Sequence, residues 1–284
     1  MKKSILLGIP VILLLLFITM PVYAADIQIK IDGFVIPTDT APENINNRTM
    51  VPLRTISENL GAQVAWSDPQ ITISNSNTKC VLTLNSDAVV KNGVAEQLDA
   101  KPYLKNNRVL VPLRFIAETF GCVVDYKDSA VNVVTDPLEI NGIKIQALQY
   151  EYHMTMGGKV QQIKVNACNK AMYDLFMANK GNPTVAPAAY SWRLDLDTIG
   201  AYYKNCQYDF LDQNGNSIQQ FDIYSLVMYD PPIETLPVYP TPLLYDATGD
   251  QWYLFSETAF QSVSQQIDTA IENDLVIVIS NTIV

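Results

Sequence analysis

Apolar residues recur along the chain with two alternating periods. Leu53, Ile56 and Leu60 fall at helical spacing, as do Leu113, Ile116 and Phe120. Each set is bracketed by a Pro at the first helical position and a Gly just past the last turn, which predicts short helices from Pro52 to Gly61 and from Pro112 to Gly121. The flanks are β-branched and aromatic and read as strands: "TMVPL", "AQVAW" and "QITIS" around the first helix, "RVLVPL", "CVVDY" and "AVNVV" around the second. "CVLTLNSDAVVKNG" between them predicts a hairpin arm with Cys80, Leu82 and Leu84 on one face. A short helix with one apolar face needs a sheet to cover it, so the expectation is an α+β unit with antiparallel strands around two helices.

Beyond Asp136-Pro137 the pattern changes, and twelve of the 15 tyrosines lie after residue 149. Hairpins are predicted around Gly157-Gly158, at Asn214-Gly215 and around Thr248-Gly249-Asp250, where turn residues separate alternating runs. Cys168, Ala171, Met172, Leu175 and Phe176 predict a helix stopped at Gly181. Phe260, Val263, Ile267 and Ile271 predict another from about Glu257 to Glu272, with Ser256 as its N-cap. "LVIVIS" closes as a last strand. This is a second α+β unit rich in hairpins, so the expected division is 25–137 and 138–284.

The first unit repeats itself. Residues 30–74 superpose on 90–134 without gaps at an offset of 60, and Asn47, Arg48, Val51, Pro52, Leu53, Arg54, Ile56, Glu58 and Gly61 are among the positions that recur. A repeat this regular is one supersecondary unit used twice. Arg54 with Glu58 and Arg114 with Glu118 are four apart, the spacing of a pair of ion pairs that orient the helices.

"NNRTMVPLRTISENLGAQVAW" and "NNRVLVPLRFIAETFGCVVDY" resemble the N-R-T-x-V-P-L-R-x-I-A-E-x-L-G-A-x-V-x-W signature of the copper amine oxidase N-terminal domain family, or stalk domain, over roughly residues 27–135. The resemblance implies a non-catalytic appendage of a kind joined to varied partner domains in exported proteins of Gram-positive bacteria. It does not imply oxidase activity, whose copper site takes three histidines: His153 is the sole histidine here.

The N-terminus, "MKKSILLGIPVILLLLFITMPVYA", sets Lys2 and Lys3 before an apolar run that ends in a small-residue pattern, predicting a signal peptide over residues 1–24 that is cleaved after Ala24 and leaves no stable membrane span. Export places the protein outside the cell or on its wall. With 19 Lys and Arg against 29 Asp and Glu, the net charge of −10 disfavours nucleic acid as a partner, and loss of Lys2 and Lys3 makes the chain more acidic still. Cys80, Cys122, Cys168 and Cys206 have neither zinc nor C-x-x-C spacing; in an oxidising compartment Cys80–Cys122 and Cys168–Cys206 are the disulfide pairings to test, with four buried free thiols as an equal alternative.

No motif for a nucleophile, a phosphate loop or a metal site stands out, and no cofactor is predicted. Asp212, Asn214 and Asn216 imitate the start of a calcium loop, but Ser217 and Ile223 occupy the positions that need Gly and Glu, so a tight hairpin accounts for them. His153 between strand neighbours and Met154 with Met156 offers soft ligands that alternation sends to opposite faces, leaving core methionines and a satisfied histidine. Asp195 and Asp197 on one side of a strand would suit paired-carboxylate chemistry. Pro231, Pro232, Pro237, Pro240 and Pro242 make an extended loop, with Tyr229, Tyr239 and Tyr245 around it as candidate binding residues. The leading expectation is therefore a non-enzymatic binding or scaffold protein, with a docking module and a second domain for an extracellular glycan or protein. An extracellular hydrolase with its active site in 138–284, and a structural or inhibitory partner of another exported protein, are the competing readings.

Overall fold

The computed structural model describes residues 27–283 except 76, 128–129, 155, 199 and 228–241; the expected signal peptide, residues 1–24, lies outside the described residues. The protein is mixed α+β, mostly strand, with four helices among the described residues: α1 (Leu53–Asn59), α2 (Leu113–Thr119), α3 (Asn166–Asn179) and α4 (Glu257–Glu272). No helix among them is long and apolar enough to cross a membrane.

In the first half, each short helix follows a strand, Arg48–Pro52 before α1 and Arg108–Pro112 before α2. Pro52 and Pro112 are extended and stand one residue before the helix rather than inside it, with ψ of 115° and 118°. Each proline has a fixed φ that suits the last residue of the strand as well as the turn into the helix. The two strands pair antiparallel with Val51 opposite Val111, so a residue faces its own repeat equivalent and a local two-fold axis relates the copies. Ion pairs follow the same symmetry: Arg48 meets Asp99, and Arg108 meets Asp39. The copies also exchange strands. Gln28–Ile31 pairs in parallel with Ala130–Val134 of the second copy, whereas its equivalent Ala88–Lys91 joins the first copy's sheet through Lys79–Thr83. Leu53, Ile56, Leu113 and Ile116 are buried against these sheets.

Arg54 and Glu58 approach to 3.8 Å as expected. The matching pair on α2 is a correction: Arg114 instead lies over the Tyr126 ring, 5.5 Å from its centroid, a cation–π contact in place of a surface ion pair with Glu118. Of the two alternatives for the cysteines, the disulfide pairings are corrected in favour of free thiols: Cys80, Cys122, Cys168 and Cys206 are all free, with neither Cys80–Cys122 nor Cys168–Cys206 bridged. Burial pushes the Cys80 thiol up to about 11 and those of Cys122, Cys168 and Cys206 up to about 12, so they sit in the fold as protonated, small apolar groups.

In the second half, a nine-stranded sheet carries α3 and α4 on one face. The hairpin of Ala147–Met154 and Gly157–Ile163 forms, but its glycines lie within the second strand, Gly157 opposite Met154 and Gly158 opposite His153. Their purpose is close approach: a Cβ on Gly157 would sit 2.2 Å from the Thr282 carbonyl oxygen, and one on Gly158 would sit 2.9 Å from the His153 ring. The strands Tyr202–Leu211 and Ser217–Leu226 turn where Asn214-Gly215 predicts. There Asp212 Oδ1 accepts from the backbone of Asn214 and Asn216, at 2.8 and 2.9 Å, which accounts for the calcium-like spacing as a turn. Ser256 caps α4 by accepting from Ala259 N at 3.1 Å. Val276–Asn281 pairs with Gly157–Ile163 at the sheet's edge.

Strand pairing stays within each half, but packing does not. Gly61 has φ +75° and a backbone so close to α3 that a Cβ would be 3.1 Å from the Ala171 Cβ. Asp32 crosses the junction too: its Oδ2 accepts from Asn166 N at 2.9 Å at the start of α3, and both carboxylate oxygens bind Thr135. One contiguous apolar cluster runs from Ile29 through Val165 and Phe176 to Leu275.

Candidate binding surface

The long strands Tyr202–Leu211 and Ser217–Leu226 alternate as a two-sided sheet must. Tyr208, Phe210, Phe221 and Ile223 point into the core with α3, where Phe176 stacks on Phe221 at 4.8 Å. The opposite face carries Lys204, Gln207, Asp222 and Tyr224. Lys204 and Gln207 are three residues apart and in a regular strand would point to opposite sides. A bulge at Asn205 brings them to the same side, and Lys204 Nζ donates to Gln207 Oε1 at 2.7 Å.

This face divides into two adjoining parts. The first is aromatic. Tyr245 stacks on Trp252 with ring centroids 4.7 Å apart, and Trp252 meets both Tyr224 and Tyr190 at 4.9 Å. Trp252 and Tyr224 are buried, whereas Tyr190 is 48 % exposed and presents the array to solvent. The Tyr245 hydroxyl donates to Asp250 Oδ1 at 2.8 Å, and that bond, with burial, pushes its phenol up to about 12.

The second part is an ion pair under an indole. Lys204 Nζ lies 2.7 Å from Asp222 Oδ2, with both side chains more than nine-tenths buried. Burial pushes the Asp222 carboxyl above its ordinary range, opposed by the hydrogen bond from Lys204. The Lys204 ammonium also sits 4.6 Å from the centre of the Trp192 ring, on which His153 stacks at 4.2 Å; His153 in turn shares a hydrogen bond with Glu151 at 2.6 Å. The Asp222–Tyr245 register joins the two parts. Removing either charge would strand its partner in a desolvated place, so the network holds this face in one geometry.

The other candidates fall elsewhere. Tyr229 and Tyr239, with most of the proline-rich loop, lie outside the described residues, so only Tyr245 of the three is placed. Its neighbours Tyr190, Tyr224 and Trp252 were missed by sequence reasoning, although the hairpin register that opposes Tyr245 to Trp252 was open to it. The strand expected at "LDLD" is absent, which is a correction: Asp195 closes a turn, its Oδ1 accepting from Asp197 N and Thr198 N at 2.9 and 3.0 Å. Hydrogen bonds from Thr198 and Asp197 hold the Asp195 carboxyl below its ordinary range, the reverse of what a general acid needs. Met154 and Met156 are exposed rather than core residues, because they flank the hairpin tip. Among the described residues no three His, Cys, Asp or Glu side chains are grouped to hold a metal.

Neither the curated proteins nor the solved structures contain a match to this chain. Residues 28–135 match the family model described as the copper amine oxidase N-terminal domain, and the resemblance carried by the doubled motif therefore holds for that segment of the chain.

Proposed function

We propose that this is an exported, wall-associated or secreted binding protein without catalytic function, in which residues 28–135 serve as a docking module and the aromatic face of the second half takes an extracellular glycan or protein. The observation that carries this reading is the array of Tyr190, Tyr224, Tyr245 and Trp252, one edge of it exposed and the rest fixed by stacking. Preorganised aromatic faces lose little entropy on binding, and flat rings suit the apolar face of a sugar or an aromatic or proline side chain. The acidic net charge fits partners that are neutral or basic.

The test uses the whole chain from residue 25 onward, since packing across the junction argues against separate halves. Retention on purified cell wall and on soluble polysaccharides is compared for the unaltered protein, Tyr190→Ala and Tyr245→Ala. The expected result is retention that falls about tenfold in Tyr190→Ala, the loss typical of an aromatic anchor. Retention that is equal in all three would remove this face as the binding site.

A further inference from the structure

The internal repeat permits a comparison of one site with its own copy. Arg54, Trp66 and Arg108 line a cleft of about 430 Å³ beside α1. Their equivalents at the offset of 60, Arg114, Tyr126 and Arg48, line a cleft of only about 60 Å³ beside α2. Beside the smaller cleft Arg114 lies over the Tyr126 ring, whereas Arg54 turns to Glu58, and among the described residues no cation lies over Trp66. Trp66 is 45 % exposed and Tyr126 48 %, so the copies differ in what lies over the ring rather than in exposure; Leu104 beside Trp66 is 53 % exposed.

We propose that the Trp66 cleft is a binding site for a cationic side chain, an arginine of a basic peptide segment, whose guanidinium takes over Trp66 the place that Arg114 takes over Tyr126. Four considerations favour a cation over a sugar as the occupant. The second copy displays the contact, a guanidinium on the equivalent ring. Glu58 stands at the cleft with its carboxyl pushed above the ordinary range by burial, so a second cation would relieve a cost that Arg54 at 3.8 Å only partly offsets. Indole is the strongest of the aromatic rings for this contact, and the net charge of −10 draws basic ligands. Leu104 and Val109 supply apolar wall for the ligand's methylene stem. The cleft lies in the first half, apart from the aromatic face of the second, and the proposal stands whether or not that face binds anything.

The test follows the Trp66 indole N–H by NMR, assigned with Trp66→Phe, while the whole chain from residue 25 onward is titrated with a tri-arginine peptide, its citrulline analogue or chitotriose. The expected result is a saturable shift with tri-arginine that weakens in salt, with citrulline and chitotriose producing none. Glu58→Gln should weaken the interaction roughly five- to tenfold and Tyr126→Ala should leave it unchanged, whereas Trp66→Ala, which removes the reporting indole and is followed by calorimetric titration instead, should abolish it. Arg54→Ala should strengthen it by removing a competing guanidinium. A shift with chitotriose alone would make the cleft a sugar site, and loss of binding in Arg54→Ala would make it an anion site; either overturns the proposal, as does the absence of any shift.

Discussion

Gly61 and Gly121 hold equivalent places after α1 and α2 and share the same left-handed backbone, with φ of +75° and +78°. Their surroundings differ. A Cβ at Gly121 meets nothing within 4 Å, whereas at Gly61 it meets Ala171 of α3. Gly121→Ala should therefore cost only the conformational penalty, about 1–2 kcal/mol. Gly61→Ala adds overpacking at the junction and should cost about 3 kcal/mol, a difference that urea denaturation of the two variants would measure. Asp246 gives a pH-dependent counterpart. Burial alone would raise its carboxyl, but hydrogen bonds from Lys180, Gly249 N–H and Gln219 overcome this and hold it below the ordinary value of 3.8. A carboxyl lowered in the fold stabilises in full above its unfolded value and loses that contribution as pH falls through the folded one. Asp246→Asn should thus cost about 3 kcal/mol at neutral pH, from stranding Lys180, and should flatten the fall in Tm with acid below about pH 4.

At the scale of elements, helices were the most legible features. Their 3.6-residue spacing and their caps are local, so α4 runs from Glu257 to Glu272 and is capped by Ser256 as the sequence predicts. Strands were legible as segments but not in detail. The glycines at 157 and 158 imitate a turn, because turn glycines and close-approach glycines are the same residue in a one-dimensional pattern. Gly157→Ala should push away the backbone at Thr282, so faster amide exchange across Val276–Asn281 is expected, with the helices unaffected. The bulge at Asn205 leaves no local signal, yet it decides which way Lys204 points. Deleting Asn205 should remove the bulge yet keep Lys204 beside Asp222, because Lys204 and Cys206 already pair with the consecutive residues Tyr224 and Ile223; a urea midpoint close to that of the unaltered protein is expected, and a large fall would show that the bulge itself is needed.

On the scale of the whole molecule, the junction decides how the halves behave. Asp32 belongs to the first hairpin but binds the first turn of α3, and the apolar cluster continues through the contact. One cooperative thermal transition is therefore expected, by calorimetry, rather than two. Asp32→Ala removes a capping carboxylate and should lower stability by about 1–2 kcal/mol while broadening or splitting that transition. An unchanged single transition in this variant would show that apolar packing alone couples the halves.

By itself the sequence determined the period of each element, the doubled unit and the family resemblance of its first half, because periodicity, caps and repeats are written in neighbouring residues. Only the tertiary structure decided that the two copies face each other across Val51 and Val111, that Arg114 lies over Tyr126 while among the described residues no cation lies over Trp66, and that Lys204 meets Asp222 beneath Trp192. These contacts join residues distant in the chain through registers, a bulge and side-chain rotamers, none of which local spacing constrains.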